Sequence, residues 1–162
     1  MSYFIIIRGP LGIGKTTIAK SLAKRLNAEY ISIDKVLEEN SLNRKDSNYL
    51  VSDFIKANEI VLDKVKKALN LKKIVIFDGC FYFKEQIEHL EKNLPFKDYT
   101  FTLKAPVEAC IKRDSKRKMI YGEEAARAVY NLVFKFDYGI NIETENKTES
   151  QVIRKILTYL NK

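Results

Sequence analysis

The run Gly9-Pro10-Leu11-Gly12-Ile13-Gly14-Lys15-Thr16 constrains this chain more than any other feature. It satisfies G-x-x-x-x-G-K-[ST] and stands between two segments of opposite character. Before it, Tyr3 to Arg8 is a β-rich apolar run, the pattern of a parallel strand buried on both faces. After it, Ile18, Ala19, Leu22, Ala23 and Leu26 recur at helical spacing over Thr16 to Leu26. In such a strand–turn–helix, glycines let the loop fold tightly, so successive backbone N–H groups point inward at phosphate oxygens. The helix that follows adds the positive end of its dipole. Gly9, Pro10, Leu11, Gly12, Ile13, Gly14, Lys15, Thr16 and Thr17 are therefore expected to bind a nucleoside triphosphate. Lys15 is expected to reach its β and γ phosphates, and the Thr16 hydroxyl to coordinate Mg²⁺.

The rest of the chain repeats the alternation that begins there. Glu29 to Ile33, Lys73 to Phe77, Tyr99 to Leu103 and Gly139 to Glu143 read as four further strands. Helical patterns fall between them: a long one from Ser47 onward through Leu69, either continuous or broken near Asn58, then Lys84 to Leu94, then one opened by Pro106. Another runs from Glu123 to about Phe136, and a last one, capped by Thr148 or Ser150, ends near Leu160. Five strands alternating with helices predict an α/β fold with a five-stranded parallel sheet covered on both faces. With 162 residues and no Gly/Ser linker or repeat, one domain over 1–162 accounts for the chain.

Composition excludes several classes. Hydrophobic residues make up 46%, enough for a real core, which rules out disordered and fibrous chains. Cys80 and Cys110 are too few for a disulfide scaffold and lack CxxC spacing, so a reducing, cytoplasmic setting is expected and structural zinc is not. No apolar run approaches the roughly 20 residues of a membrane span, and the opening segment lacks the layout of a signal peptide. The formal charge of +8 raises the question of nucleic acid. It rests on 22 lysines, many scattered over apparent helix surfaces, against seven arginines, which favours a solvated surface over a dedicated nucleic-acid patch.

Three further places in the sequence, two acidic strand ends and one basic segment, are candidates for chemistry. Asp78 ends the apolar strand Ile74-Val75-Ile76-Phe77 and would face the phosphate loop at the carboxyl edge of the sheet. There it would hold Mg²⁺, hold one of its waters or contact an acceptor; the plain alternative is a strand-ending Asp-Gly turn. Asp34, at the end of the second strand, is expected to accept or orient the proton of an acceptor hydroxyl, or to cap a short helix over Lys35 to Glu39, or both. Arg113 and Arg117 are four apart in a basic segment and on one helix face would stabilise charge on a transferring phosphate, with Arg127 a third contributor. A solvated basic face is the alternative. Gly122 gives the break of a mobile lid spanning approximately 113–124. Phe81, Tyr82 and Phe83 suit either ring stacking at the acceptor side or core packing, while His89 and Cys80 are assigned no role.

With these residues assembled, the chain resembles the small P-loop kinases of the adenylate and shikimate kinase group. It is most similar to zeta-toxin-like, chloramphenicol-phosphotransferase-like and adenylylsulfate-kinase-like proteins. The likeness runs through Gly9 to Thr17, Asp34, Asp78-Gly79, the Arg113–Arg117 segment and the closing Gly139–Leu160. It implies the P-loop NTPase fold with a short helical lid, ATP and Mg²⁺ as cofactors, and a hydroxyl or phosphate acceptor. It also implies that a loop after Ile142-Glu143-Thr144 borders the adenine. The departures are informative: Gly14-Lys15-Thr16-Thr17 replaces the Gly-Lys-Gly-Thr of adenylate kinases, and Asp78-Gly79-Cys80-Phe81-Tyr82 lacks their arginine for a nucleoside monophosphate. The Gly-Gly-Gly segment of shikimate kinases is also missing. The expected activity is thus phosphoryl transfer to a small-molecule acceptor held by helices approximately 40–70. A polynucleotide 5′-hydroxyl kinase and a regulatory ATPase are the alternatives, and oligomeric state is left open.

Overall fold

The computed structural model describes residues 2–43, 49–116 and 121–160. In chain order its elements are β1 (Tyr3–Arg8), α1 (Lys15–Leu26), β2 (Glu29–Ser32), α2 (Ile33–Glu39), α3 (Val51–Asn70), β3 (Val75–Gly79) and α4 (Lys84–Asn93). Then follow β4 (Lys97–Lys104), α5 (Val107–Asp114), α6 (Glu123–Val133), β5 (Ile140–Glu143) and α7 (Glu149–Leu160). The five strands form one parallel sheet in the order β2-β3-β1-β4-β5.

Strand β1 lies at the centre because both its faces are apolar. Phe4 and Ile6 face one cluster, built with α2, α3, α4 and α6; Ile5 and Ile7 face the other, built with α1, α5 and α7. All four side chains are fully buried, each worth roughly 1.5–3 kcal/mol of apolar transfer. The period-2 alternation of strands thus explains how one run supports two cores. β3 does the same, with Val75 and Phe77 on one side and Ile76 on the other.

Register places the chemistry. Ile7 pairs with Asp78 and Arg8 with Gly79, so β1 and β3 end together at one sheet edge. Ser32 pairs with Asp78 from the other side. Loops that leave this edge therefore share one crevice, the location expected for ligands in open parallel sheets.

Several boundaries differ from the sequence expectation, each for a physical reason. α3 does not break near Asn58: that side chain is fully buried and donates from Nδ2 to the Gln86 carbonyl at 2.8 Å, joining α3 to α4. β3 starts at Val75 rather than Lys73, because Lys72 turns at φ 61° and the Lys73 N–H returns to the Ala68 carbonyl, closing α3. β4 begins earlier than expected, at Lys97, since backbone pairing of Lys97 and Asp98 with Tyr3 and Phe4 proceeds regardless of side-chain polarity. Helix α6 ends at Val133 rather than Phe136.

A charge is buried where β1 ends. The Arg8 guanidinium is fully enclosed, donating to the Thr102 hydroxyl at 3.2 Å and to the carbonyls of Val133 at 2.5 Å and Phe81 at 3.4 Å. The Phe136 ring lies 4.4 Å from its centre. Burial draws its pKa down to about 10, opposed by Asp137 and Cys80, which leaves it protonated at neutral pH.

The turn into β5 has no room for a side chain. Gly139 sits at φ 67°, and a Cβ there would stand 2.2 Å from the Thr100 carbonyl oxygen. Gly139→Ala is expected to destabilise by about 2–4 kcal/mol. At roughly 2–4 °C per kcal/mol for this chain length, the thermal midpoint should fall by about 4–16 °C, read by circular dichroism.

Candidate phosphate-loop active site

The loop from Gly9 to Gly14 leaves β1 and enters α1, as the motif requires. Gly14 caps α1 in the left-handed region at φ 97°, with no side chain satisfying the first N–H groups. Every other helix carries an acidic residue in its first turn, among the described residues; α1 carries none. Exposed donors at the positive end of a dipole, with no built-in anion, suit an incoming phosphate. Gly12, at φ 73°, is pressed against α5, where a Cβ would lie 2.2 Å from the Cys110 carbonyl oxygen. Gly9 is also tight, 2.9 Å from the Ile13 side chain by the same construction.

Lys15 is 7% exposed and donates from Nζ to the Pro10 carbonyl at 3.2 Å. Burial opposes its charge, but Cys80, Asp34 and Asp78 together outweigh that cost and hold its pKa above the ordinary lysine value. The ammonium is thus kept charged inside the loop by groups from β3 and from the start of α2.

Asp78, at 3% exposure, ends β3 beside the loop. Its Oδ2 accepts from the Thr16 hydroxyl at 2.8 Å and from the Tyr30 hydroxyl at 2.6 Å. Its Oδ1 is buried without a hydrogen-bond partner among the described residues. Burial, then the bond to Asp78, push the Tyr30 phenol upward and keep its proton in place. A hydroxyl and a carboxylate 2.8 Å apart, with one buried oxygen left over, form a hard-oxygen donor pair that fits Mg²⁺. No group of three or more His, Cys, Asp or Glu that could hold a metal gathers among the described residues, so the pair would need ligand or water oxygens to complete a coordination shell.

Asp34 is not a cap. Ser32 caps α2 instead, its hydroxyl accepting from the Lys35 N–H, and Asp34 occupies the first turn, where its charge acts on Lys15, Tyr30 and Cys80. It is exposed, yet near enough to Lys15 for its charge to act there.

Arg113 lies in the last turn of α5, half-buried, and donates to the carbonyl of Ile13 at 3.2 Å and that of Thr144 at 3.3 Å. α5 ends at Asp114, so the helix that was expected to carry Arg113 and Arg117 on one face stops short of Arg117. Arg117 lies outside the described residues, as do 118–120 of the expected lid; the described ends of that lid are the last turn of α5 and the first turn of α6. Arg127 is an exposed ion-pair residue, bonded to Glu123 at 2.9 Å and 3.6 Å from Glu108, and so ties α6 to α5 rather than facing the loop.

Two adjoining cavities open here. One, of about 200 Å³, is lined by Gly12, Gly14, Lys15, Thr16, Thr17 and Arg113. The other, of about 240 Å³, is walled by Ile13, Ile18 and Val152 with Thr144 and Lys147, and Gly14, Thr17 and Arg113 line both. On the opposite side, Tyr82 is core rather than an open platform: it stacks on Tyr49 at 4.7 Å and meets Phe54 edge-on at 5.3 Å. Cys80, fully enclosed between Lys15 and Tyr82, has its thiol pushed up by burial. Sequence reasoning missed Tyr30, which reads there only as a strand aromatic.

The chain matches other proteins in the same terms. A family model described as an AAA domain matches residues 4–133. An adenylate kinase of Mycoplasmopsis pulmonis is 25% identical, the alignment covering 95% of this chain and 79% of that protein. The solved structure of an unliganded sugar kinase from Janibacter superposes with a TM-score of 0.81 at 17% identity, over 99% of this chain and 95% of that one. An APS kinase from Mycobacterium tuberculosis, solved with AMPPNP and APS, gives 0.73 at 12% identity, over 99% and 98%. These low-identity superpositions establish the fold.

The tight glycine supplies a test. Gly12→Ala would force the loop off the Cys110 carbonyl, and calorimetry should show affinity for inorganic triphosphate falling by at least about tenfold, or about 1.4 kcal/mol.

Proposed function

The chain belongs to the AAA-domain family and groups with the small P-loop kinases, and on that premise we propose that it is an ATP- and Mg²⁺-dependent phosphotransferase. It moves the γ-phosphate to a hydroxyl or phosphate of a small molecule. The observation that carries the reading is the convergence on Lys15. A buried, charged lysine inside the phosphate loop is supported by Asp34 and Asp78 from two neighbouring strand ends.

In this reading the loop amides and Lys15 hold the β and γ phosphates. Thr16 and Asp78 hold Mg²⁺, which when bound neutralises charge on the phosphate oxygens. The apolar wall of Ile13, Ile18 and Val152 takes the base, with the loop after Thr144 along its edge. Arg113, fixed by two carbonyls, lies between base and phosphates and lends its charge to the latter, with Arg117 as its companion. Asp34 orients the acceptor hydroxyl or takes its proton at the open mouth of the crevice. The acceptor binds on the side of α2, α3 and the loop after β3.

The test is transfer from γ-labelled ATP with Mg²⁺ to pooled acceptors: nucleosides, nucleoside monophosphates, sugars, polyols and a 5′-hydroxyl oligonucleotide. A labelled product absent with Lys15→Ala is expected; label released only as free phosphate, whatever the acceptor, opposes the reading. Asp34→Asn should then lower transfer by about 10²–10⁴-fold while ATP affinity holds, and an unchanged rate removes Asp34 from the mechanism.

A further inference from the structure

The way Asp78 is held goes beyond what the motif requires. One carboxylate oxygen, Oδ2, takes both donors, Tyr30 Oη at 2.6 Å and Thr16 Oγ1 at 2.8 Å, while Oδ1 is buried and takes none among the described residues. A buried acceptor left bare costs about 1–3 kcal/mol, and more when charged. The arrangement is therefore asymmetric at some expense, and Tyr30 helps to create the asymmetry.

Tyr30 is well placed to impose it. Its strand pairs in parallel with β3, Tyr30 opposite Ile76 and Ser32 opposite Asp78, so the ring starts two residues behind the carboxylate and reaches forward along the edge. The Lys20 ammonium lies 5.7 Å from the ring centre. Thr16 alone could not fix the carboxylate. A hydroxyl carries one proton and two lone pairs, so Thr16 can serve a cation with its oxygen while its proton stays on Asp78, but one such bond leaves the carboxylate free to turn about it. A second donor on the same oxygen removes that freedom.

We propose that Tyr30 is a positioning residue for the divalent cation. It locks Asp78 so that Oδ2 stays shared with Thr16 and Oδ1 remains the acceptor available to the cation or its water. The inference rests on the reading of the crevice as a Mg²⁺–nucleotide site. Partners that orient metal-binding carboxylates typically matter by 10–100-fold in metal affinity. The effect of Tyr30 should therefore appear in the metal dependence of nucleotide binding rather than in nucleotide binding itself.

The experiment measures binding of a fluorescent ATP analogue as Mg²⁺ is titrated, with thermal melts to check folding. Four forms are compared: wild type, Tyr30→Phe, Asp78→Asn and the double variant. Tyr30→Phe should leave metal-free affinity within about twofold and raise the Mg²⁺ concentration at half-effect by roughly tenfold. In the Asp78→Asn background it should add nothing, because Tyr30 acts through that carboxylate. An unchanged Mg²⁺ midpoint in Tyr30→Phe, an equal loss with and without metal, or additivity with Asp78→Asn overturns the inference. If Tyr30→Phe does not fold, Tyr30→Gln decides. Keeping an N–H donor, it should stay nearer the wild-type midpoint than Tyr30→Leu, and equal midpoints in those two overturn the inference. A wild-type chain whose nucleotide affinity ignores Mg²⁺ would instead sink the phosphotransferase reading, and the role of Tyr30 with it.

Discussion

The parallel pairing of β1 with β3 is the constraint on which the rest depends. It sets Ile7 opposite Asp78, so the strand that launches the phosphate loop and the strand that delivers the carboxylate end at the same level. A parallel ladder shifted by one residue would turn every side chain of β3 to the other face. Val75 and Phe77 would then enter the core built for Ile76, and Asp78 would leave the loop. Hydrophobic burial on two faces thus enforces the register that places one acidic side chain. The chemistry at the sheet edge inherits its precision from apolar packing several residues away.

The loop is rigid for a related reason. Gly12 is pressed against the Cys110 carbonyl and Gly9 against Ile13 and Leu103, so the cradle is moulded on α5 and β4. Arg113 closes the same contact from the side, since its guanidinium grips the Ile13 carbonyl. Preorganised donors of this kind need little reorganisation when an anion arrives. The cost is borne by Lys15, a charge kept dry and supported by the acids and the thiol around it and by its bond to the Pro10 carbonyl.

How much of this was legible in the sequence follows from the range of each interaction. The loop, β1 and α1 could be read directly because motif, apolar run and helical period all lie within 26 residues. Five strands in a parallel sheet came from the same periodicities, and their order within it did not. What escaped depends on partners far along the chain. Asn58 looked like a helix break until its bond to the Gln86 carbonyl, 28 residues on, gave it a buried partner. Tyr30 could not be told from any strand tyrosine, because its reason for being there is Asp78, 48 residues away. Arg113 was expected to share a helix face with Arg117, yet its helix ends at Asp114 and its guanidinium turns to Ile13, 100 residues earlier. Asp34 was displaced as a cap by Ser32, a contest between two good capping residues two positions apart that local preference does not decide.

The Arg8 guanidinium has a mechanical meaning of its own. It bonds the end of the central strand to Val133, where α6 finishes, and to Phe81, where the chain leaves β3, with Phe136 laid across it. A charge enclosed in this way cannot lose one partner gradually, because a partial opening leaves it neither hydrated nor paired. The end of α6 and the loop after β3 are therefore latched to the same strand that carries the phosphate loop. Neither can fray alone, and the wall of the crevice on that side opens, when it opens, as a single unit.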